Sequence, residues 1–200
     1  APVITPDGRW VAFESTAGDL VSGDTNQLSD IFLRDLTAGT TRLVSVATNG
    51  LPRANGGSFA PAVSPDGRYV AFESLATNLV TGILDTNLAT DIFLRDLTEG
   101  RTVLVSKHAT TNRTGSAAST APAFSADGAR LLFLSNATNL IAGVTNTSGD
   151  VYVRDLPNNV NIWVSRNAAA LRSALTNSFP ANARYRCYNP VISANGRYVA

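Results

Sequence analysis

Methionine is absent from this 200-residue chain, and cysteine, histidine and lysine occur once each, as Cys187, His108 and Lys107. One cysteine excludes an intrachain disulfide and a cysteine-built metal site. One histidine excludes a histidine-rich zinc site. The formal net charge of +1 leaves no electrostatic footprint for a nucleic-acid partner. No apolar run is long enough to span a bilayer, so membrane insertion is not expected. The opening Ala1-Pro2-Val3-Ile4 lacks the basic segment and apolar core of a signal peptide. Without a methionine, the chain is expected to be processed or to be a piece of something longer. Near-exclusive use of arginine for basic residues, with abundant alanine, hints at a GC-rich bacterial genome.

What the chain does have is repetition. Pro6-Asp7-Gly8-Arg9-Trp10-Val11-Ala12-Phe13-Glu14-Ser15 leads to Asp30-Ile31-Phe32-Leu33-Arg34-Asp35-Leu36. Pro65-Asp66-Gly67-Arg68-Tyr69-Val70-Ala71-Phe72-Glu73-Ser74 leads to Asp91-Ile92-Phe93-Leu94-Arg95-Asp96-Leu97. A more worn copy runs from Ala126-Asp127-Gly128 to Ser135 and resumes at Asp150-Val151-Tyr152-Val153-Arg154-Asp155-Leu156. A fourth opens at Ala194-Asn195-Gly196-Arg197-Tyr198-Val199-Ala200. The turn aspartates lie 59 residues apart (7 to 66) and then 61 (66 to 127), with Asn195 a further 68 on. Strand-like units at such a period form an array in which each unit leans on its neighbours.

The second copy shows the unit. Ala62-Val63-Ser64 reads as a short strand and Pro65-Asp66-Gly67 as a turn, with glycine in the left-handed position. Arg68 to Ser74 reads as a strand with Val70 and Phe72 on one face and Tyr69 and Ala71 on the other. Asp91 to Leu97 is a third strand, Thr98-Glu99-Gly100 a turn, and Arg101 to Ser106 a fourth strand. Strands apolar on both faces want cover on both sides. Four antiparallel strands packed between like units make a propeller blade. Substitutions between copies preserve backbone geometry: Asn159 stands where Gly39 and Gly100 do, and asparagine tolerates a left-handed backbone. The expectation is therefore an all-β chain, a β-propeller of four-stranded antiparallel blades. About three blades are complete, near 1–46, 60–106 and 121–165, and the start of a fourth lies at 189–200. That content cannot close a ring of four or more blades, so open edges are expected to permit self-association.

Alternating connections put the tight turns on one rim. The long segments 16–29, 75–90 and 136–149 then fall on the other rim, with the interblade stretches 46–60, 107–121 and 166–189. Binding groups commonly sit on loops held by a rigid scaffold, so the long-loop rim is the expected ligand face. The last interblade stretch carries Arg172, Arg184, Tyr185, Arg186 and Tyr188, a basic and aromatic set able to stack or to pair with an anion. The alternative is an ordinary arginine-bearing surface loop.

Asp24, Asn26 and Asp30 recur as Asp85, Asn87 and Asp91. Oxygen ligands at alternate positions suit calcium. The pattern lacks the glycine and closing glutamate of an EF-hand, and Val144 replaces the first aspartate in the third copy. The competing reading is side-chain-to-backbone turns that launch the third strand. The pairs Arg34-Asp35, Arg95-Asp96 and Arg154-Asp155 point to opposite faces of a strand. One member is expected to satisfy the following turn and the other to reach a neighbouring blade. No Gly-x-Ser-x-Gly turn accompanies His108. Cys187, beside Arg186, is either a packed thiol or one of lowered pKa. No catalytic residues are assigned, and the chain is not expected to be an enzyme.

The run Ser-Pro-Asp-Gly-Arg-Tyr-Val-Ala-Phe-Glu-Ser at 64–74, followed by Asp-Ile-Phe-Leu-Arg-Asp-Leu-Thr at 91–98, resembles the TolB-type, WD-like β-propeller repeat of bacteria. The longer form with Thr77-Asn78-Leu79-Val80 and Asp85-Thr86-Asn87 is similar to repeats in bacterial secreted and cell-surface propellers. The resemblance implies a periplasmic or extracellular protein, and it brings no catalytic residues. The expected function is a non-catalytic binding or scaffold segment that holds a protein or glycan through the long-loop rim. The alternative is a substrate-gating propeller of a prolyl-oligopeptidase-like serine hydrolase, whose catalytic domain would lie elsewhere. A propeller lyase for acidic sugars is a weaker reading, since His108 stands alone.

Overall fold

The computed structural model describes residues 1–48, 54–145, 147–166 and 187–200. The first sheet holds β1 (Val3–Ile4), β2 (Trp10–Ser15), β3 (Asp30–Asp35) and β4 (Thr40–Leu43). The second holds β5 (Ser58–Val63), β6 (Tyr69–Ser74), β7 (Asp91–Asp96) and β8 (Arg101–Leu104). The third holds β9 (Ser119–Phe124), β10 (Arg130–Ser135), β11 (Asp150–Asp155) and β12 (Val160–Trp163). Each is an antiparallel meander of four strands in sequence order. An isolated antiparallel bridge, Ile192 to Val199, opens a fourth unit.

Turn chemistry sets these hairpins. In the second blade the Ser64 hydroxyl donates to Asp66 at 2.5 Å. Asp66 in turn accepts the Arg68 amide at 3.0 Å. Gly67 sits at φ +70°, a conformation that favours glycine. The first strands of the second and third blades begin at Ser58 and Ser119, ahead of positions 60 and 121. A register shift lets them do so: pairing slips between Phe59 and Ala62, and Ala60 has φ +47°. Ala121 repeats it at φ +57°. This is β-bulge geometry, in which one extra residue bends the strand.

The core lies between blades. Val70 and Phe72 join Ala12, Ile31 and Leu33 of the first blade in one cluster. Ala71, Ile92 and Leu94 point the other way and join Leu131, Phe133 and Tyr152 of the third. Leu132, Val151 and Val153 pack with Ile192 and Val199 of the fourth unit. A stacked aromatic pair recurs in every blade: Phe13–Phe32, Phe72–Phe93 and Phe133–Tyr152, with centroids 5.6, 6.0 and 5.4 Å apart. The alternation expected along β6 is the alternation found.

Candidate functional site

The rim opposite the tight turns is a frame of loops bonded to loops. The β6–β7 segment meets the next interblade stretch through a bridge between Leu84 and Arg113. The Leu84 amide donates to the Asn112 carbonyl at 3.0 Å, and the Thr114 amide donates back to Leu84 at 3.2 Å. That stretch then reaches the third blade, where the Ala109 amide donates to the Asn139 carbonyl at 2.9 Å. Backbone groups paired in this way hold a loop surface in one shape, which lowers the ordering cost of binding.

Leu84 and Leu88 stand exposed on this frame, Leu88 at 83%. Leu88 also has φ +52°, uncommon for any residue other than glycine. Asp85 holds it there, since Asp85 Oδ1 accepts the amides of Asn87 at 3.1 Å and Leu88 at 3.2 Å. Gln27, at the equivalent place in the first blade, has φ +60°.

Beneath the loops lies a buried polar tie that recurs in each blade. Asp91 is buried at the start of β7. It accepts the Ser106 hydroxyl at 2.7 Å, and Ser106 Oγ accepts the Ile92 amide at 3.0 Å. Asp30 with Ser45 and Asp150 with Ser165 repeat the arrangement. Burial pushes the Asp91 carboxyl up to about 7, with the Asp85 charge adding to the rise. Burial raises Asp30 likewise, with Asp24 adding to it. The sequence reading missed the serines. The signal was available, because Ser45, Ser106 and Ser165 stand two residues past the fourth strand of all three copies.

The calcium candidates have their oxygens largely in use. Asn26 Oδ1 accepts the Leu28 amide at 2.9 Å, while its Nδ2 donates to Asp30 at 2.7 Å. Asn87 does the same, with Oδ1 accepting the Ala89 amide at 2.7 Å and Nδ2 donating to Asp91 at 3.4 Å. Asp24 is buried, and its Oδ1 has no hydrogen-bond partner among the described residues. No group of three or more His, Cys, Asp or Glu side chains lies together among the described residues. Melting with and without EDTA separates turn from cation site. Turn chemistry leaves the melting temperature unchanged. A calcium site lowers it, and Asp24→Ala then removes the response of its own blade.

Arg172, Arg184, Tyr185 and Arg186 lie outside the described residues. Tyr188 is 74% exposed and lines a cavity of about 390 Å³ with Ala118, Leu134 and Gly149. Cys187 packs against the third blade, and burial pushes its thiol up. A thiol of lowered pKa is therefore not what the fold produces. His108 Nδ1 accepts the Thr110 amide at 3.1 Å.

The arginine–aspartate pairs face opposite ways and the aspartate takes the turn, but the arginines bond within their own blades rather than to a neighbouring one. Asp96 accepts the turn amides of Thr98 and Glu99 at 2.8 and 3.0 Å. It also pairs with Arg68, just before β6, at 2.6 Å. Asp35–Arg9 and Asp155–Arg130 repeat the ion pair. Arg95 turns to the opposite face, where its Nη1 donates to Thr102 of its own blade at 3.1 Å. Its Nε is buried without a partner among the described residues. Burial lowers the pKa of both Arg95 and Arg154.

No helix among the described residues is long and apolar enough to cross a membrane. No protein-family model matches the chain. No curated protein matches it either. Among solved structures it is similar to TolB from Acinetobacter baumannii, at 20% identity and a TM-score of 0.53. The match covers 100% of this chain and 36% of that one. It is also similar to a TolB of Agrobacterium tumefaciens, at 18% identity and a TM-score of 0.54, covering 98% of this chain and 50% of that one. The chain thus spans half or less of the length of these structures. At such identities the likeness is one of fold, a TolB-like β-propeller, of which this chain holds three four-stranded blades and the opening of a fourth.

Proposed function

We propose that this chain is a non-catalytic binding segment of a secreted or envelope bacterial protein, and that it holds a partner protein through its long-loop rim. The observation that carries the reading is Leu88. It is 83% exposed and held in a left-handed backbone by the Asp85 carboxylate. Leu84 is exposed on the same bonded loop. An apolar side chain displayed at a conformational cost, on a surface that is already ordered, suits recognition better than packing. A TolB-like fold supports a binding role by analogy only.

Photo-crosslinking tests this in cells that make the protein. Benzoylphenylalanine replaces Leu88 on the rim or, as control, Ala38 in the tight turn of the first blade. The expected result is an adduct with a separate protein at position 88 and none at position 38. Equal adducts at both positions, or none at either, would overturn the reading. A crosslink from position 88 into a hydrolase domain of the same polypeptide would replace it with substrate gating. A glycan adduct identified by mass would replace the protein partner.

A further inference from the structure

Two grooves beside β8 are lined by cations and no acid. The first, of about 620 Å³, is lined by Arg95, Arg101, Lys107 and Arg154 together with Val80 and Ile83. The second, of about 460 Å³, is lined by Lys107, His108 and Arg154 with Ile141. Neither lining includes an aspartate or glutamate. Asp96 and Glu99 line an adjoining cavity of about 170 Å³ that shares Arg101 and Arg154 with the first groove, and Arg68 pairs with both acids at 2.6 and 3.7 Å.

The second groove repeats the first one blade later. Arg154 takes the place of Arg95, and Leu140–Ala142 that of Leu79–Thr81. Lys107 and Arg154 border both grooves, so they join into one track. Leu104, the last residue of β8, also lines both. β8 is the terminal strand of its sheet, so its outer edge has no strand partner. Arg95 brings a buried Nε without a hydrogen-bond partner among the described residues, and no carboxylate of these residues pairs with it.

We propose that this track binds an acidic peptide lying extended along the free edge of β8, with its carboxylates set against Arg95, Lys107 and Arg154. The cations are distributed over two joined cavities, too much space for one small oxyanion. Apolar residues between them suit the alternate side chains of a strand, and a free strand edge supplies main-chain pairing. A polysaccharide would use the charge and leave that edge unpaired. The site takes Val80, Ile83 and Lys107 from the long-loop segments, but Leu84 and Leu88 line neither groove.

Fluorescence anisotropy of the chain with a labelled Glu-Val-Glu-Val-Glu-Val-Glu peptide tests the proposal at low ionic strength. Binding is expected, it should weaken as salt rises, and Arg101→Glu with Lys107→Glu should reduce it at least about tenfold. Both positions are at least partly exposed, and circular dichroism checks that the variant is folded. Arg101→Gln alone gives a milder second variant, expected to weaken binding in the same direction. The same peptide with alternate backbone nitrogens methylated keeps its charge and should not bind. Undiminished binding by the charge-reversed variant would overturn the proposal. So would equal binding of the methylated peptide, equal competition by polygalacturonate, or displacement by inorganic phosphate at matched ionic strength.

Discussion

Phe72→Ala is expected to cost about 3–5 kcal/mol, the range for emptying a buried aromatic site. The equivalent Phe13→Ala should cost less than half of that. Phe72 has no exposed surface, and it packs in the cluster that joins the first two blades. Removing it opens a cavity at that interface and takes away the stacking partner of Phe93. Phe13 makes the same stack, with Phe32, yet it is only half-buried. No described blade covers its face. Leu20 on the first blade shows the same contrast, exposed by 38% where Leu79 and Leu140 are exposed by 2% and 3%. In a chain of this size, the Phe72 loss corresponds to a fall in melting temperature of roughly 6–20 °C. Denaturant unfolding reads both variants side by side. A Phe13→Ala loss as large as that of Phe72→Ala would mean that the blade contact does not carry the stability assigned to it.

The repeat made this interface legible in advance. Val70 and Phe72 against Tyr69 and Ala71 is a period-two pattern with both faces apolar, and only a sheet covered on both sides accommodates it. The Asp-Gly turns were legible for the same reason, since their chemistry is contained in four or five consecutive residues. The Asp91 tie was not. It depends on Ser106, fifteen residues away, and no local rule joins them. The sequence therefore offered that aspartate only a loop ligand's role or a local turn's. The basic track was hidden in another way. Arg95 could be placed on the face opposite Asp96, but its surroundings come from the preceding interblade stretch at Val46–Thr48 and from Arg154 of the following blade. Arg172, Arg184, Tyr185 and Arg186 lie outside the described residues, so the aromatic and basic loop stays an expectation.

Stability should fall as pH rises from about 4 to about 7, and Asp91→Asn should flatten that slope. The folded Asp91 carboxyl titrates at about 7, against about 3.9 for an unfolded aspartate. Between those values the folded chain holds a proton that the unfolded chain has released. Raising the pH therefore favours unfolding, by up to about 1.4 kcal/mol per pH unit for one such group. Asp30, also raised by burial, acts in the same direction. Asp35, held near 2 mainly by the Arg9 hydrogen bond, acts oppositely, but only below the window. Asparagine at position 91 keeps an oxygen for the Ser106 hydroxyl and never ionises. The variant should match the parent near pH 4 and exceed it above pH 7. Asp91→Ala removes the acceptor and strands a buried hydroxyl, at a cost of about 1–3 kcal/mol at every pH. Urea unfolding from pH 4 to 8 in EDTA, which excludes a bound cation, measures all three proteins. A parent whose stability climbs through this range, or an Asp91→Asn variant that tracks it in parallel, would show that Asp91 is already ionised in the folded chain. The buried tie would then be a charged one, held by Ser106 and Asn87 against the cost of burial.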